Sequence, residues 1–333
     1  MALPLALTMG EPAGIGGEIA LKAWLDFRAD LPPFYLIDDP DRLASLARRL
    51  DWPVPIRQID APDRAPSVFA DALPVLPIDT GIRAQPGRPN PRDAAAILGA
   101  IQTAVRDVRN GRAAALVTNP IHKESLYRAG FHHPGHTEYL AELAGCDLAP
   151  IMMLVCPGLR VVPVTIHLAL RRAVESLSSA TIVEAGRITE AALRRDFGLS
   201  APLVAVAGLN PHAGEGGSLG REEIEIIEPA VAQLRAGGID ARGPLPPDTM
   251  FHADARSAYD AALCMYHDQA LIPIKTIDFH GGVNVTLGLP FVRTSPDHGT
   301  ALTIAGRGIA RPDSLIAALR LAAEIAVRRS AGS

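Results

Sequence analysis

Cysteine is scarce, and no pair of cysteines is spaced for shared chemistry. The three present, Cys146, Cys156 and Cys264, form no CxxC motif, and the last two sit inside apolar runs as core cysteines do. Reduced thiols in a cytoplasmic protein are the expectation. There is no surplus of one charge either, since 32 Lys+Arg against 36 Asp+Glu leave a net charge of −4, so no basic field points to nucleic acid. No run is long and apolar enough to span a bilayer. The opening MALPLALTMGEPAG has no basic leader and no small-residue cleavage site, which argues against a signal peptide. Internal repeats and low-complexity tracts are lacking as well. What remains is a 333-residue chain, 48% hydrophobic, long enough for about two domains around a sizeable core.

The chain alternates strand and helix signals, which implies an α/β fold with a mostly parallel sheet. LPLALTM (3–9) reads as a buried strand running through the loop GEPAGIGGE into IALKAWL, and FYLIDD (34–39) as a second strand before the helix DRLASLARRL. Residues 74–93, rich in Pro and Gly, read as an irregular crossing segment or a linker. DAAAILGAIQTAVRDVRNG then reads as a long helix stopped at Gly111, and AAALVTNP as another strand. IMMLVCP and RVVPVTIH look like paired strands, followed by a helical stretch over 168–197 and the strand LVAVAGL. The run that reaches His267 is expected to continue as a strand through DQALIPIKTIDF, and SLIAALRLAAEIAVRR closes the chain as an amphipathic helix. Neither glycine-rich loop is a dinucleotide fingerprint. Starting from Gly14 and Gly16, the third required glycine falls on Ile19, and Gly214, Gly216 and Gly220 are wrongly spaced.

Three histidines close apolar, strand-like runs: His167 after RVVPVTI, His212 after LVAVAGLNP and His267 after AALCMY. Ligands of open α/β sheets bind beyond the carboxyl ends of strands, so three imidazoles there can converge from distant parts of the chain. Three histidines suit zinc or another borderline divalent ion and leave a coordination position open. Any one of them alone reads as an ordinary hydrogen-bonded histidine. Other residues add weight. His136 precedes Thr137, which can cap a helix beginning at Glu138, where an anion would meet free N–H groups. Lys275, Asn284 and Arg293 place a cation, an amide and a guanidinium in one short stretch, which suits an anionic substrate.

GEPAGIG, GHTEYLA, VTIHLAL, GLNPHAGEGG, GPLPPDT, MYHDQALIPIK, GVNVTLGLPFVRTSPDHGTA and AGRG, in this order, closely resemble the 4-hydroxythreonine-4-phosphate dehydrogenase family of pyridoxine biosynthesis. The resemblance runs from about Leu5 to about Leu321. It implies a three-layer α/β/α fold like that of isocitrate and isopropylmalate dehydrogenases, with two subdomains and a cleft between them. The subdomains are expected at 1–125 plus 296–333 and at 126–295. It further implies a homodimer with the active site at its interface, and a divalent metal (Zn, Mg or Co) on His167, His212 and His267. Substrate contacts are implied from His136, Thr137, Lys275, Asn284 and Arg293. The implied cofactor is NAD or NADP, on residues the motifs do not identify. Gly282 stands where the family frequently has arginine, which removes one basic group from the site.

The implied reaction is oxidation of 4-phosphooxy-L-threonine to 2-amino-3-oxo-4-(phosphooxy)butanoate, which decarboxylates to 3-amino-2-oxopropyl phosphate. The metal would polarise the hydroxyl, and Asp248 and Asp268 are equally candidates for the base or for orienting a histidine ligand. A relative acting on threonate or erythronate 4-phosphate is the alternative. A noncatalytic metal- or phosphate-binding module on the same scaffold ranks below both.

Overall fold

The computed structural model describes residues 3–78, 81–133, 135–146 and 150–331. Its strands are β1 (Leu5–Thr8), β2 (Phe34–Asp38), β3 (Ile56–Gln58), β4 (Leu73–Pro77), β5 (Leu116–Thr118), β6 (Ile151–Cys156), β7 (Leu159–Pro163), β8 (Leu203–Ala207), β9 (Asp240–Leu245), β10 (Ala261–Cys264), β11 (Val283–Leu287) and β12 (Arg293–Pro296). The chain divides into two compact units, Met1–Pro150 with Leu289–Val327, and Ile151–Gly288 with Arg328–Ser333.

In the first unit the strand order is β3-β4-β2-β1-β5-β12, and every pairing is parallel. Parallel strands are covered on both faces, which is why β1 and β2 are unbroken apolar runs, buried at every position. Helix Ala94–Arg109 packs on β1, β2 and β5. It buries Ala96, Ile97, Ala100, Ile101, Ala104 and Val105, a stripe that recurs every three to four residues as one helical face must. Inside this core Tyr35 donates to the buried Asp107 carboxylate at 2.9 Å, so both polar groups are satisfied out of water.

In the second unit the order is β11-β6-β7-β10-β8-β9. Pairs β11–β6 and β6–β7 are antiparallel, whereas β7–β10, β10–β8 and β8–β9 are parallel. Three neighbouring parallel strands, β7, β10 and β8, therefore point their carboxyl ends the same way. Cys264 ends the central one and is fully buried, and burial pushes its thiol well above the usual range. The Cys156 thiol, at the end of β6, is pushed up to about 11, chiefly by burial. On the same unit Asp196 is buried and accepts from Arg329 Nε at 2.7 Å and from Arg195 Nε at 2.7 Å.

The mostly parallel α/β plan is the one expected, with local differences. Residues 74–93 do not begin as an irregular crossing, because β4 occupies 73–77 despite Pro74 and Pro77. Residues 168–197 form two helices, Leu170–Ser176 and Ser179–Arg195, because the Ser178 hydroxyl accepts from Thr181 N at 3.2 Å and starts the second. DQALIPIKTIDF is not a strand. Helix His267–Ile277 takes most of it, burying Gln269, Ala270 and Ile274 at helical spacing with Pro273 inside. The division into units falls after Pro150 and Gly288 rather than after 125 and 295. Helix His136–Ala144 stays with the first unit because Tyr139 and Leu140 sit in its core and Gln102 donates to the Tyr139 hydroxyl at 2.9 Å. Among the described residues no helix is long and apolar enough to cross a membrane.

Candidate active site

Each of the three histidines lies just beyond a strand rather than in it. His167 follows β7, His267 starts the helix after β10, and His212 lies in the turn after β8. Since β10 is flanked by β7 and β8, the three loops leave the sheet side by side. Two hydrogen bonds fix two of them together: Val164 N donates to Cys264 O at 2.7 Å and the Thr165 hydroxyl to Met265 O at 2.8 Å. The His167 and His267 rings consequently stand 6.0 Å apart between centroids, inclined at 41°. They line a cavity of about 250 Å³ with Tyr266, Asp268, Leu168 and Leu170. His267 Nδ1 and Asp268 Oδ1 are 2.7 Å apart. A carboxylate on Nδ1 fixes the ring and leaves Nε2 as its ligating nitrogen. Two imidazoles supply part of the donor set that a divalent cation takes.

His212 does not complete the set within one chain. Among the described residues no three His, Cys, Asp or Glu side chains come together in a metal-binding group. Its loop is held in an unusual form, with His212, Ala213, Gly214, Glu215 and Gly216 at φ 53°, 52°, 77°, 44° and 66°. A left-handed backbone of this kind is disfavoured for residues with a Cβ, and such strain clusters at functional sites. His167 shares it, at φ 54°. The loop is clamped by the buried Glu223 carboxylate, which accepts from Leu209 N and Asn210 N, both at 2.7 Å, and from Asn210 Nδ2 at 2.9 Å. A Cβ on Gly214 would stand 2.6 Å from Glu223 Oε2, so only glycine admits this approach. Gln269 joins the β8 and β10 loops, accepting from Met265 N at 2.6 Å and donating to Gly208 O at 2.7 Å.

The remaining expected residues divide between the units. Lys275 is in the last turn of helix His267–Ile277, with Nζ 5.4 Å from the Phe279 ring centre, and Asn284 is on β11 with a buried Oδ1 lacking a hydrogen-bond partner. Asp248 is exposed in the turn after Pro246 and Pro247. In the first unit Arg293, 3% exposed on β12, donates from Nε and Nη2 to the Thr118 hydroxyl at the end of β5, at 3.2 and 2.6 Å. Burial lowers its guanidinium to about 10, so the charge persists at neutral pH. His136 and Thr137 open helix His136–Ala144, where the cap is Gly135 rather than the expected Thr137. Burial, then the charges of Arg293 and Lys123, hold the His136 imidazole well below its usual range. Its Nε2 is sealed from solvent without a hydrogen-bond partner. An imidazole, a buried guanidinium and the N–H groups of a helix start are donor types that an anion receptor uses.

Residues 31–322 match the family described as pyridoxal phosphate biosynthetic protein PdxA. The chain belongs to the PdxA family. Among PdxA relatives, the 4-hydroxythreonine-4-phosphate dehydrogenase of Methylorubrum populi is 57% identical over 98% of this chain and 95% of its own. That of Bradyrhizobium diazoefficiens is 56% identical over 99% of both. The crystal structure of the Klebsiella pneumoniae 4-hydroxythreonine-4-phosphate dehydrogenase superposes with a TM-score of 0.87 at 38% identity, covering 98% of this chain and all of that one. A terephthalate 1,2-cis-dihydrodiol dehydrogenase of Burkholderia xenovorans follows at a TM-score of 0.63 and 28% identity, covering 97% of this chain and 98% of its own. The protein is thus an enzyme, an oxidoreductase of the PdxA family. Sequence reasoning did not reach Glu223, Gln269, Thr118 or Lys123. NPIHK directly after a strand was the signal available for Lys123, while the others act through backbone or neighbours and leave no pattern.

Proposed function

We propose that this enzyme oxidises 4-phosphooxy-L-threonine with NAD or NADP to 2-amino-3-oxo-4-(phosphooxy)butanoate, which decarboxylates to 3-amino-2-oxopropyl phosphate in vitamin B6 biosynthesis. The observation that carries the reading is the His167–His267 pair, backed by Asp268, in a cavity beyond the strand ends. His167, His267 and His212 would hold the divalent cation (Zn, Mg or Co). When bound, the cation would supply Lewis acidity at the substrate hydroxyl, and the nicotinamide would supply a hydride acceptor. Asp268 acts by keeping the His267 ring oriented. Arg293 and His136, with the N–H groups at Thr137, hold an anionic group of the substrate, and Lys275 is a further proposed substrate contact. The unpartnered Asn284 Oδ1 is an acceptor suited to the substrate α-ammonium group.

The active unit is a homodimer. Supporting this, large apolar side chains stand exposed on the segments that carry the histidine pair, Leu168 at 51%, Leu170 at 61%, Ile272 at 64% and Phe279 at 68%. Among the described residues one chain groups two of the three proposed imidazoles, which supports a partner copy as the source of the third.

Turnover measured side by side on 4-phosphohydroxythreonine and on threonate and erythronate 4-phosphates, with NAD and with NADP, tests the reading. The amino substrate should lead. Preference for a phosphorylated sugar acid would shift the enzyme to the paralogous activity, and undiminished turnover after exhaustive chelation would remove the metal.

A further inference from the structure

We propose that Lys123 is a phosphate ligand of this enzyme, acting with Arg293, His136 and the start of helix His136–Ala144. The inference rests on the phosphorylated-substrate reading above and adds a residue to it. Lys123 follows the loop that leaves β5, the strand whose Thr118 hydroxyl holds the Arg293 guanidinium. Its ammonium rests against the helix cap: a Cβ built on Gly135 would stand 3.4 Å from Lys123 Nζ and 3.5 Å from Cε. Its charge and that of Arg293 both reach the His136 imidazole.

The alternative is an ordinary surface lysine, and the surroundings weigh against it. Lys123 is exposed, yet among the described residues it makes no ion pair within 4 Å. The acid nearest the cap is Glu138, whose Oε2 would stand 3.2 Å from the same Cβ. Two cations and the positive end of a nine-residue helix thus surround an imidazole whose Nε2 is sealed and unpartnered. Both charges that bear on this imidazole are positive, and an anion beside it would relieve them. A carboxylate would neutralise one charge, whereas a phosphate ester carries close to two and has three acceptor oxygens. That matches two cations, the buried Arg293 and the exposed Lys123, together with His136 Nε2 and the helix N–H groups. Bound phosphate opposes the lowering that Arg293 and Lys123 exert, so the His136 titration should move upward with the anion in place.

The experiment uses the full chain with Lys123→Met and Lys123→Arg. Inorganic phosphate binding is followed by calorimetry, and the His136 titration by NMR with and without phosphate. Michaelis constants are measured for 4-phosphohydroxythreonine and unphosphorylated 4-hydroxythreonine. Lys123→Met should weaken phosphate about tenfold and raise KM for the phosphorylated substrate by a similar factor, as loss of one charge-assisted contact does. It should leave kcat and the KM for the nicotinamide cofactor unchanged, and let the His136 titration move upward as one opposing charge disappears. Lys123→Arg should recover most of the loss. Unchanged phosphate affinity with an unmoved His136 titration overturns the proposal. An equal loss with the unphosphorylated compound also overturns it, since Lys123 would then serve the carboxylate. If wild-type enzyme does not turn over 4-phosphohydroxythreonine, the functional reading fails, and the phosphate and titration measurements still decide the role of Lys123.

Discussion

Removing the Glu223 side chain should displace His212 at small cost in global stability. Three non-glycine residues of the loop, His212, Ala213 and Glu215, are held left-handed, at about 1–2 kcal/mol each, so the run stores about 3–6 kcal/mol. Against this, Glu223 accepts from Leu209 N, Asn210 N and Asn210 Nδ2; hydrogen bonds to a charged group contribute about 1.5–3 kcal/mol each, or about 4.5–9 kcal/mol together. In Glu223→Ala the loop can relax and recover the stored strain. The net loss is then only about 1.5–3 kcal/mol, the difference of those ranges at either end. Activity should fall much further, by about 100-fold or more, because misplacing a site group by an ångström has that effect. Urea unfolding and steady-state turnover on the same preparation check both numbers, with Glu223→Gln falling between the two proteins. Turnover within a few-fold of wild type would show that Glu223 does not set His212. A stability loss near the full 4.5–9 kcal/mol would show that the loop does not relax when its clamp is removed.

Asp196 supplies a pH dependence with a definite sign. Burial alone would raise its carboxyl, but the Arg329 and Arg195 guanidinium groups outweigh burial and hold it below the usual value. Its contribution is therefore present above the ordinary carboxylate range and lost as pH falls through the lowered value. Urea melts across the acid limb should flatten in Asp196→Asn, and an unaltered slope would contradict the assignment. A mixed dimer of His212→Ala with His267→Ala subunits should regain up to about half of wild-type activity per dimer, since one of its two sites is then intact. No recovery in a verified heterodimer would place both ligands in one subunit.

The alternation of strands and helices, and the delivery of three histidines by three strand ends, were legible because both depend on apolar periodicity. β4 was not, because Pro74 and Pro77 read as loop residues while its parallel neighbours β2 and β3 still pair with it. The helix over His267–Ile277 was missed because LIPI has strand composition, and only its packing makes Ala270 and Ile274 one face. In the site, residue types were readable but their supports were not. Glu223 acts on a backbone 13 and 14 positions away and Gln269 on one 61 positions away, separations that local spacing does not encode. The left-handed angle at His167 carries no sequence mark, since no glycine stands there.

The burial of Cys264 between β7 and β8 makes it a clock for the second unit. A thiol reacts as its thiolate, and here burial withholds both proton loss and access until the strands separate. Brief pulses of an alkylating reagent would therefore leave Cys264 unmodified in the folded protein and label it only in molecules whose second unit has opened. Cys146, partly buried on the first unit, provides the comparison thiol. The ratio of the two labels, read by mass spectrometry, times the opening of one unit with no reporter added to the sequence.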